Sequence, residues 1–478
     1  MLAGIAFSPH AANLIRPLDY ALGSEINVEI ITMYFTRLVL GVQLVLAGVQ
    51  LPGRYLQTEW KSLALLLGPG MVMMWLCSSL LIWALVPNIS ILQAFAIAAC
   101  VTPTDPVLSN SIVKGKFADK NVPRPLQRII VAESGANDGL GYPFLFIALY
   151  VLKFTGMGGE GTTGGAGKAI GMWFYETWGY TILLSILYGA VVGWISMKSL
   201  HWAEEKNDWF RLETLDDSLQ PTVDMLLNLA IFMWFGAVCP WDLFAHNDII
   251  PIYRLVALGV LILLLRRLPV VLAMHRYIRQ VEHFSQAAFL GFFGPIGVGA
   301  IFYLSICREF LLEEVLVDGE PREDAQRTAD AAYIVVWFLV ICSIVVHGLS
   351  VPVGKAGYYV PRTISSALST TSTLDREQRD LPIPLQSPGS GHNITTVFRN
   401  PRTSRSRDTN APPPQTIFRL GRSVIHPNSA TSDSPQTPGE PDRPVHILGE
   451  DGHLSETLHS TCPSGQSSCL QVGEVMTA

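Results

Sequence analysis

Apolar runs long enough to cross a bilayer recur along the first three quarters of the chain and alternate with short polar stretches. A helix needs about 20 mostly apolar residues to span the hydrocarbon core. On that criterion the pattern predicts membrane spans at residues 29–51, 62–86, 90–113, 126–152, 174–197, 221–239, 250–274, 285–308 and 331–353. We therefore expect an all-α polytopic membrane protein.

The two ends of the chain depart from this pattern. Residues 1–14 are apolar but too short to cross a bilayer, and we interpret them as the end of a first span whose beginning is absent. From about residue 363 the chain is rich in Ser, Thr and Pro and too polar to build a core. The predicted units are a truncated first span and outer loop (1–28), a transmembrane domain (29–354) and a disordered cytoplasmic tail (355–478).

Composition agrees with a membrane protein and narrows its chemistry. The chain has 478 residues, 49% of them hydrophobic and only 15% charged. The net charge is -6, and the charged residues lie in separate loops and in the tail rather than on one surface, so no nucleic-acid partner is implied. The seven cysteines suggest no disulfide or zinc framework. The spans carry no nucleophile motif, metal cluster or phosphate loop, so we expect neither an enzyme nor a cofactor.

Basic residues accumulate in every second loop, which predicts the orientation of the spans. Loops rich in Lys and Arg face the cytoplasm. The basic loops contain Arg54 and Lys61; Lys114, Lys116, Lys120, Arg124 and Arg128; Lys198, Lys206 and Arg211; and Arg276 and Arg279. This assignment also predicts that the C-terminal tail is cytoplasmic.

The third span contains the run Thr102-Pro103-Thr104-Asp105-Pro106. Each proline removes a backbone donor and disfavours helical torsions before it, so the helix should break here. Freed backbone groups at membrane depth are tolerated beside protein or a water-filled cavity. The threonine and aspartate oxygens then become ion ligands or counter-charges to the half-helix ends. The alternative is a kinked packing helix with Asp105 at its cytoplasmic end.

The fourth span carries Glu133, Asn137 and Asp138 one to two turns inside an apolar helix. Carboxylates in hydrocarbon are costly and by default mark an ion or proton path. One carboxylate can hold a proton or a small alkali cation but hardly both, and this competition is enough for exchange. We therefore predict that a carboxylate of this span, Asp138 or Glu133, binds a proton or a small alkali cation. The alternative for each acid is a structural carboxylate paired with a buried cation.

Arg266 and Arg267 interrupt the seventh span and supply such a cation. An unpaired Arg inside a span is costly, so we expect one of the two to face inward and pair with Glu133. The other would snorkel to the cytoplasmic interface. The sequence does not distinguish them.

The eighth span has a second interruption, containing Gly294, Pro295 and Gly297. The third and eighth spans are each the middle member of a triplet, 62–152 and 250–353, and the predicted orientation makes them run in opposite directions. Paired interrupted spans of opposite direction are typical of inverted-repeat transporters, which bind their ions at the crossing. The alternative is that these glycines only allow close helix packing.

With these motifs, the chain resembles the fungal plasma-membrane sodium/proton antiporters, a branch of the monovalent cation:proton antiporter family. The matching stretches are residues 8–12, 51–52, 102–107, 132–139, 223–228, 235–237, 240–241, 293–303 and 346–352. The resemblance implies an inverted-repeat antiporter fold and exchange of Na⁺, with Li⁺ and K⁺ as further substrates, for protons. It implies a homodimer in the lipid of the plasma membrane, serving pH and salt homeostasis. It also implies that Asn137 and Asp138 are the ion-binding pair and that Glu133 pairs with a core arginine.

The chain departs from this family near Glu205 and Trp209. Family members carry about two further spans there, with an adjacent pair of aspartates. Both flanks of the junction are predicted to be cytoplasmic. Loss of an even number of spans would therefore leave the orientation of the following spans unchanged. We interpret the junction as an incomplete gene model or a shortened splice form, whose competence for transport is open.

Three functions remain in competition at this point. The first is a secondary antiporter. The second is a non-transporting scaffold or regulator that acts through its tail. The third is a cation channel, which shares polar broken helices but needs a continuous pore and no coupling.

Overall fold

The computed structural model describes residues 1–113, 122–156, 164–206, 212–377, 418–420 and 423–425. The chain divides into two compact units, Met1–Ile383 and Pro384–Ala478. In the second unit the described residues form a two-stranded antiparallel hairpin of Phe418–Leu420 and Ser423–Ile425. The rest of the tail predicted as disordered, after Glu377, lies outside the described residues.

Helices dominate the first unit. In chain order they are α1 (Leu2–Phe7), α2 (Pro17–Tyr20), α3 (Glu25–Gln50), α4 (Tyr55–Thr58), α5 (Trp60–Leu85), α6 (Ile91–Val101), α7 (Pro106–Val113), α8 (Arg124–Thr155), α9 (Gly165–Met172, Trp173–Leu183 and Leu184–Lys206 in succession), α10 (Leu212–Val238), α11 (Trp241–Ala245), α12 (Ile252–Leu265), α13 (Leu268–Met274), α14 (Phe284–Phe292), α15 (Val298–Glu313) and α16 (Glu323–Glu377). A short hairpin of Leu316–Val317 and Glu320–Pro321 joins α15 to α16.

Five helices of the described part are long and apolar enough to cross a membrane: Glu25–Gln50, Trp60–Leu85, Gly165–Ala203, Ile252–Tyr277 and Glu323–Ser350. The prediction of a helical, multi-pass membrane protein is therefore confirmed. The spans predicted at 90–113 and 285–308 are each formed by two shorter helices, α6 with α7 and α14 with α15. The last candidate span, Glu323–Ser350, ends close to the predicted end at 353, and the helix that forms it, α16, continues to Glu377.

Small side chains place α6 at the centre of the bundle. Its start is fixed by a capping box in which Ser90 and Gln93 satisfy each other's backbone amides. Every residue from position 96 to position 101 is buried, and three of them are alanines. Small residues let helix backbones approach closely, so α6 packs against α5, α8, α15 and α16 at once. This packing holds the end of α6 deep in the protein.

Helix α9 has the opposite character. None of the residues in the most apolar window of Gly165–Ala203 is buried within this chain. Its large side chains, such as Trp194 and Trp202, are exposed. The junction predicted to lack spans lies at the end of this helix, and residues 207–211 there are outside the described residues.

Candidate functional site

The first interrupted helix ends at Val101, and the chain re-enters a helix at Pro106. The backbone between them is non-helical, as the two prolines predict. Thr102 and Thr104 in this segment are both buried. The Thr102 hydroxyl donates to the carbonyl oxygen of Ala98 at 2.8 Å, so it is used within its own helix.

The second interrupted helix ends at Phe292 and resumes at Val298. Gly294, Pro295 and Gly297 lie in the segment between them. A Cβ atom added to Gly297 would lie 2.6 Å from the Asp105 carboxyl carbon, so only glycine fits at this crossing. The two interrupted segments therefore touch each other.

Asp105 joins the two interruptions. Its backbone amide donates to the carbonyl oxygen of Pro295 at 2.9 Å. One carboxylate oxygen accepts from the Leu108 amide at 2.8 Å and the other from the Val298 amide at 2.7 Å. These amides belong to the first turns of α7 and α15, where helix dipoles favour negative charge. Asp105 is thus an N-cap shared by two half-helices, and both of its oxygens have donors.

Arg266 has the complementary role at the two opposite half-helix ends. Its guanidinium donates to the carbonyl oxygens of Val101, the last residue of α6, and of Gly294, two residues beyond the end of α14. It also donates to the Thr102 carbonyl oxygen at 3.3 Å. A cation is favoured at helix C-termini, where carbonyls lack amide partners. The prediction that one of the two arginines snorkels to the interface is wrong, because both are buried.

Asn137 links α8 to the first interruption. Its side-chain nitrogen donates to the Thr104 hydroxyl at 2.6 Å, and its side-chain oxygen accepts from the Thr104 amide at 3.2 Å. Both residues are buried. This paired contact fixes the depth of the neighbouring Asp138 relative to the crossing.

Within the described part of the chain, both oxygens of the buried Asp138 carboxylate lack a hydrogen-bond donor. Only 5% of the residue is exposed. Its backbone oxygen accepts from the Tyr303 hydroxyl, which holds the turn in place. A Cβ atom on Gly299 would lie 3.0 Å from one Asp138 oxygen, so the carboxylate lies against the first turn of α15. A buried carboxylate in this state needs a proton or a cation.

Glu133 and Arg267 form the buried ion pair. The two terminal guanidinium nitrogens of Arg267 each donate to one Glu133 carboxylate oxygen, at 2.6 and 2.7 Å. Arg267 also donates from Nε to the Leu290 carbonyl oxygen at 3.0 Å. The pair ties α8 to α14 and to the junction of α12 with α13. Between the two arginines left open by the sequence, the structure assigns the pair to Arg267.

Residues of α16 support the second interruption, and sequence reasoning gave them no role. The Ser343 hydroxyl accepts from the Ile296 amide at 2.7 Å. His347 has one ring nitrogen 3.0 Å from the Phe292 carbonyl oxygen and the other 2.9 Å from that of Ser343. The spacing of four residues, which puts both side chains on one helix face, was the available signal.

The structure thus brings Thr104, Asp105, Asn137 and Asp138 together at the crossing of two interrupted helices. Thr102 lies in the same segment, with its hydroxyl turned back to its own helix. Among the described residues no group of three or more His, Cys, Asp or Glu side chains has the arrangement of a metal centre. The site offers the unpaired carboxylate of Asp138 beside Asp105, whose two carboxylate oxygens both have donors.

Known proteins resemble this chain in sequence. The family model described as "Sodium/hydrogen exchanger, transmembrane" matches residues 1–208. "Na(+)/H(+) antiporter 2" of Zygosaccharomyces rouxii is 30% identical over 422 residues, covering 77% of this chain and 50% of the relative. A "Probable Na(+)/H(+) antiporter" of Schizosaccharomyces pombe is 32% identical over 425 residues, covering 78% of this chain and 53% of the relative. The chain therefore spans about half the length of these relatives.

A solved structure, that of the sodium proton antiporter MjNhaP1 from Methanocaldococcus jannaschii, superposes with a TM-score of 0.49 at 16% identity. It covers 72% of this chain and 90% of that chain. The sequence matches confirm the resemblance inferred from the motifs. Residues 1–208 match the sodium/hydrogen exchanger transmembrane model, and most of the chain is similar to fungal Na⁺/H⁺ antiporters at about 30% identity.

Proposed function

We propose that the chain is a secondary antiporter that exchanges Na⁺ for protons at the Asp138 carboxylate, with Li⁺ and K⁺ as further substrates. The observation that carries this proposal is the contrast among three buried acids. Glu133 has an arginine and Asp105 has backbone amides, whereas both Asp138 oxygens lack a partner. A proton or a small cation is what the third acid still needs.

The mechanism follows from the Asp138 carboxylate, whose oxygens have no hydrogen-bond partner. A cation that reaches Asp138 replaces the proton, since the two cannot neutralise one carboxylate together. Thr104 and Asn137 bind each other beside the carboxylate, and their side-chain oxygens would be further ligands for the cation. The capped half-helices move as one body with the carboxylate, because Asp105 and Arg266 bind both interruptions together. Alternating exposure of this body to the two sides would complete the exchange.

We further propose that the protein functions as a homodimer in the plasma membrane with its tail, from residue 355, in the cytoplasm. The support for a partner surface is α9, whose apolar window is uncovered within one chain. Lipid or a second copy would cover it. The basic loops support the orientation.

Reconstitution tests the function directly. Purified full chain is placed in proteoliposomes that contain a pH-sensitive dye, and an outward Na⁺ gradient is imposed. An antiporter acidifies the lumen, because Na⁺ leaves the vesicle in exchange for protons that enter, and Asp138→Asn abolishes this signal. Asp242→Asn, the same change at an exposed position, leaves it intact.

Two outcomes would overturn the proposal. Na⁺ flux that is not coupled to protons would indicate a channel. Absence of exchange in monodisperse, folded protein, together with rescue of a salt-sensitive host that survives Asp138→Asn, would indicate a scaffold or regulator.

A further inference from the structure

A second polar cluster lies inside the apolar helices, away from the interrupted segments. The Gln43 side-chain nitrogen donates to an Asp224 carboxylate oxygen at 2.7 Å and to the Asn228 side-chain oxygen at 3.1 Å. The Asn228 nitrogen donates to the same Asp224 oxygen at 2.9 Å. Gln43 belongs to α3 and the other two residues to α10. We call these three residues the α3–α10 cluster.

The α3–α10 cluster contains an oxygen without a donor. Gln43 is completely buried, and its side-chain oxygen has no hydrogen-bond partner. A buried amide oxygen in this state is unfavourable unless something else binds it. The carboxylate and the two amides of the cluster are oxygen ligands of the kind that replace the hydration shell of a small cation.

The cluster lies at nearly the same membrane depth as Asp138. Glu29, near the start of α3, contacts Arg308 near the end of α15, and Lys153, near the end of α8, contacts Glu314 directly after α15. Helices α3 and α8 therefore run in opposite directions. A Cβ atom on Gly135 of α8 would lie 3.6 Å from Ala47 of α3.

Depth can be counted from that contact. With a rise of about 1.5 Å per residue, Gln43 lies about 6 Å from Ala47, and Asp138 lies about 4.5 Å from Gly135. Both steps point to the same side of the membrane because the helices are antiparallel. Gly139, next to Asp138, is exposed, and nothing lies within 4 Å of a Cβ atom placed on it. Open space therefore lies beside the backbone next to Asp138, at the level of the α3–α10 cluster.

We propose that the α3–α10 cluster is a second binding site for a small monovalent cation, at the depth of Asp138. This proposal rests on the antiporter function proposed above. It adds a cation site on α3 and α10 to the site at Asp138. The cation is held by the Gln43 side-chain oxygen and the Asp224 carboxylate, with Asn228 as the residue that orients both. A cation bound at the α3–α10 cluster would already lie at the depth of Asp138 before Asp138 releases its proton.

Binding of ²²Na⁺ to the purified full chain tests the site without transport. In the Asp138→Asn protein the carrier carboxylate is gone, and we expect about one Na⁺ per chain to remain. Adding Asp224→Asn should weaken this binding by about tenfold or more, the effect of losing a charged ligand. Adding Asp242→Asn instead should leave it unchanged. The proposal is overturned if the Asp138→Asn protein binds no Na⁺, or if Asp224→Asn does not weaken the binding.

A variant with the opposite expected effect excludes misfolding as the cause. Asn228→Asp adds a carboxylate to the α3–α10 cluster and should tighten ²²Na⁺ binding in the Asp138→Asn background. Unchanged or weaker binding in this folded variant would contradict the proposal. The exchange assay is separate: its failure in wild-type protein overturns the antiporter function, whereas the binding assay alone decides the second site.

Discussion

The Glu133–Arg267 pair offers a sharp test of how the core is held together. The change is Glu133→Gln, which keeps the shape of the side chain and removes its charge. Arg267 then remains almost fully buried, with side-chain exposure of 4%, and keeps its hydrogen bonds to the Leu290 carbonyl oxygen at 3.0 Å and to the Met74 sulfur at 3.8 Å. Removing one partner of a buried ion pair costs about 3–5 kcal/mol. We expect the lower end, about 3 kcal/mol, because glutamine still accepts one hydrogen bond.

The control is an ion pair of similar distance in a different environment. Lys153 and Glu314 are 2.7 Å apart, but the Glu314 side chain is 59% exposed. Such pairs contribute about 0–1 kcal/mol, so Glu314→Gln should have little effect. The assay is the free energy of unfolding in SDS titrations of the detergent-solubilised protein. The double variant Glu133→Gln with Arg267→Met should recover most of the loss, since it removes the orphaned charge.

Equal losses for Glu133→Gln and Glu314→Gln would refute this reasoning. So would a double variant less stable than Glu133→Gln alone, because the cost would then come from packing. The prediction concerns stability, so the surviving folded fraction of Glu133→Gln should still bind Na⁺.

Three further changes test the crossing. Gly299→Ala should lower Na⁺ affinity in equilibrium binding, since its Cβ would lie 3.0 Å from an Asp138 oxygen; Gly189→Ala, with nothing within 4 Å, should not. Arg266→Lys should destabilise the protein by about 1.5–3 kcal/mol in the SDS assay, because an ammonium lacks the fork that reaches two carbonyls; unchanged stability would contradict the capping role. Asp105→Asn should cost about 1–2 kcal/mol while ²²Na⁺ binding persists, since an amide oxygen replaces only part of a shared N-cap; loss of binding with full stability would make Asp105 a direct ligand instead.

Much of the architecture could be predicted from the sequence, because it depends on local physics. Span length follows from bilayer thickness, and the predicted span 29–51 differs from Glu25–Gln50 only at its ends. The interruption before Pro106 follows from the missing proline donor and appears where expected. These features need no knowledge of which helices touch.

The roles of the individual charged residues could not be predicted from the sequence, because they depend on how the helices pack. Asp105 and Asp138 have the same chemistry, and only the position of the α15 amides shows that one is satisfied and the other is not. Arg266 and Arg267 are adjacent, so their separate tasks depend on where α12 ends relative to the two interruptions. The contact of Gln43 with Asp224 joins residues 181 positions apart, which no local pattern reveals.

The most direct test of the central claim is the number of protons released when Na⁺ binds. Purified protein in weakly buffered detergent is titrated with NaCl while a pH indicator and ²²Na⁺ binding are followed together. If the two ions compete for the Asp138 carboxylate, Na⁺ binding releases a proton near the pH of half-protonation, apparent Na⁺ affinity falls as pH is lowered, and Asp138→Asn abolishes the release. The account would be contradicted if Na⁺ bound to Asp138 without releasing a proton at any pH tested. It would also be contradicted if Asp138→Asn released as many protons as the wild-type protein.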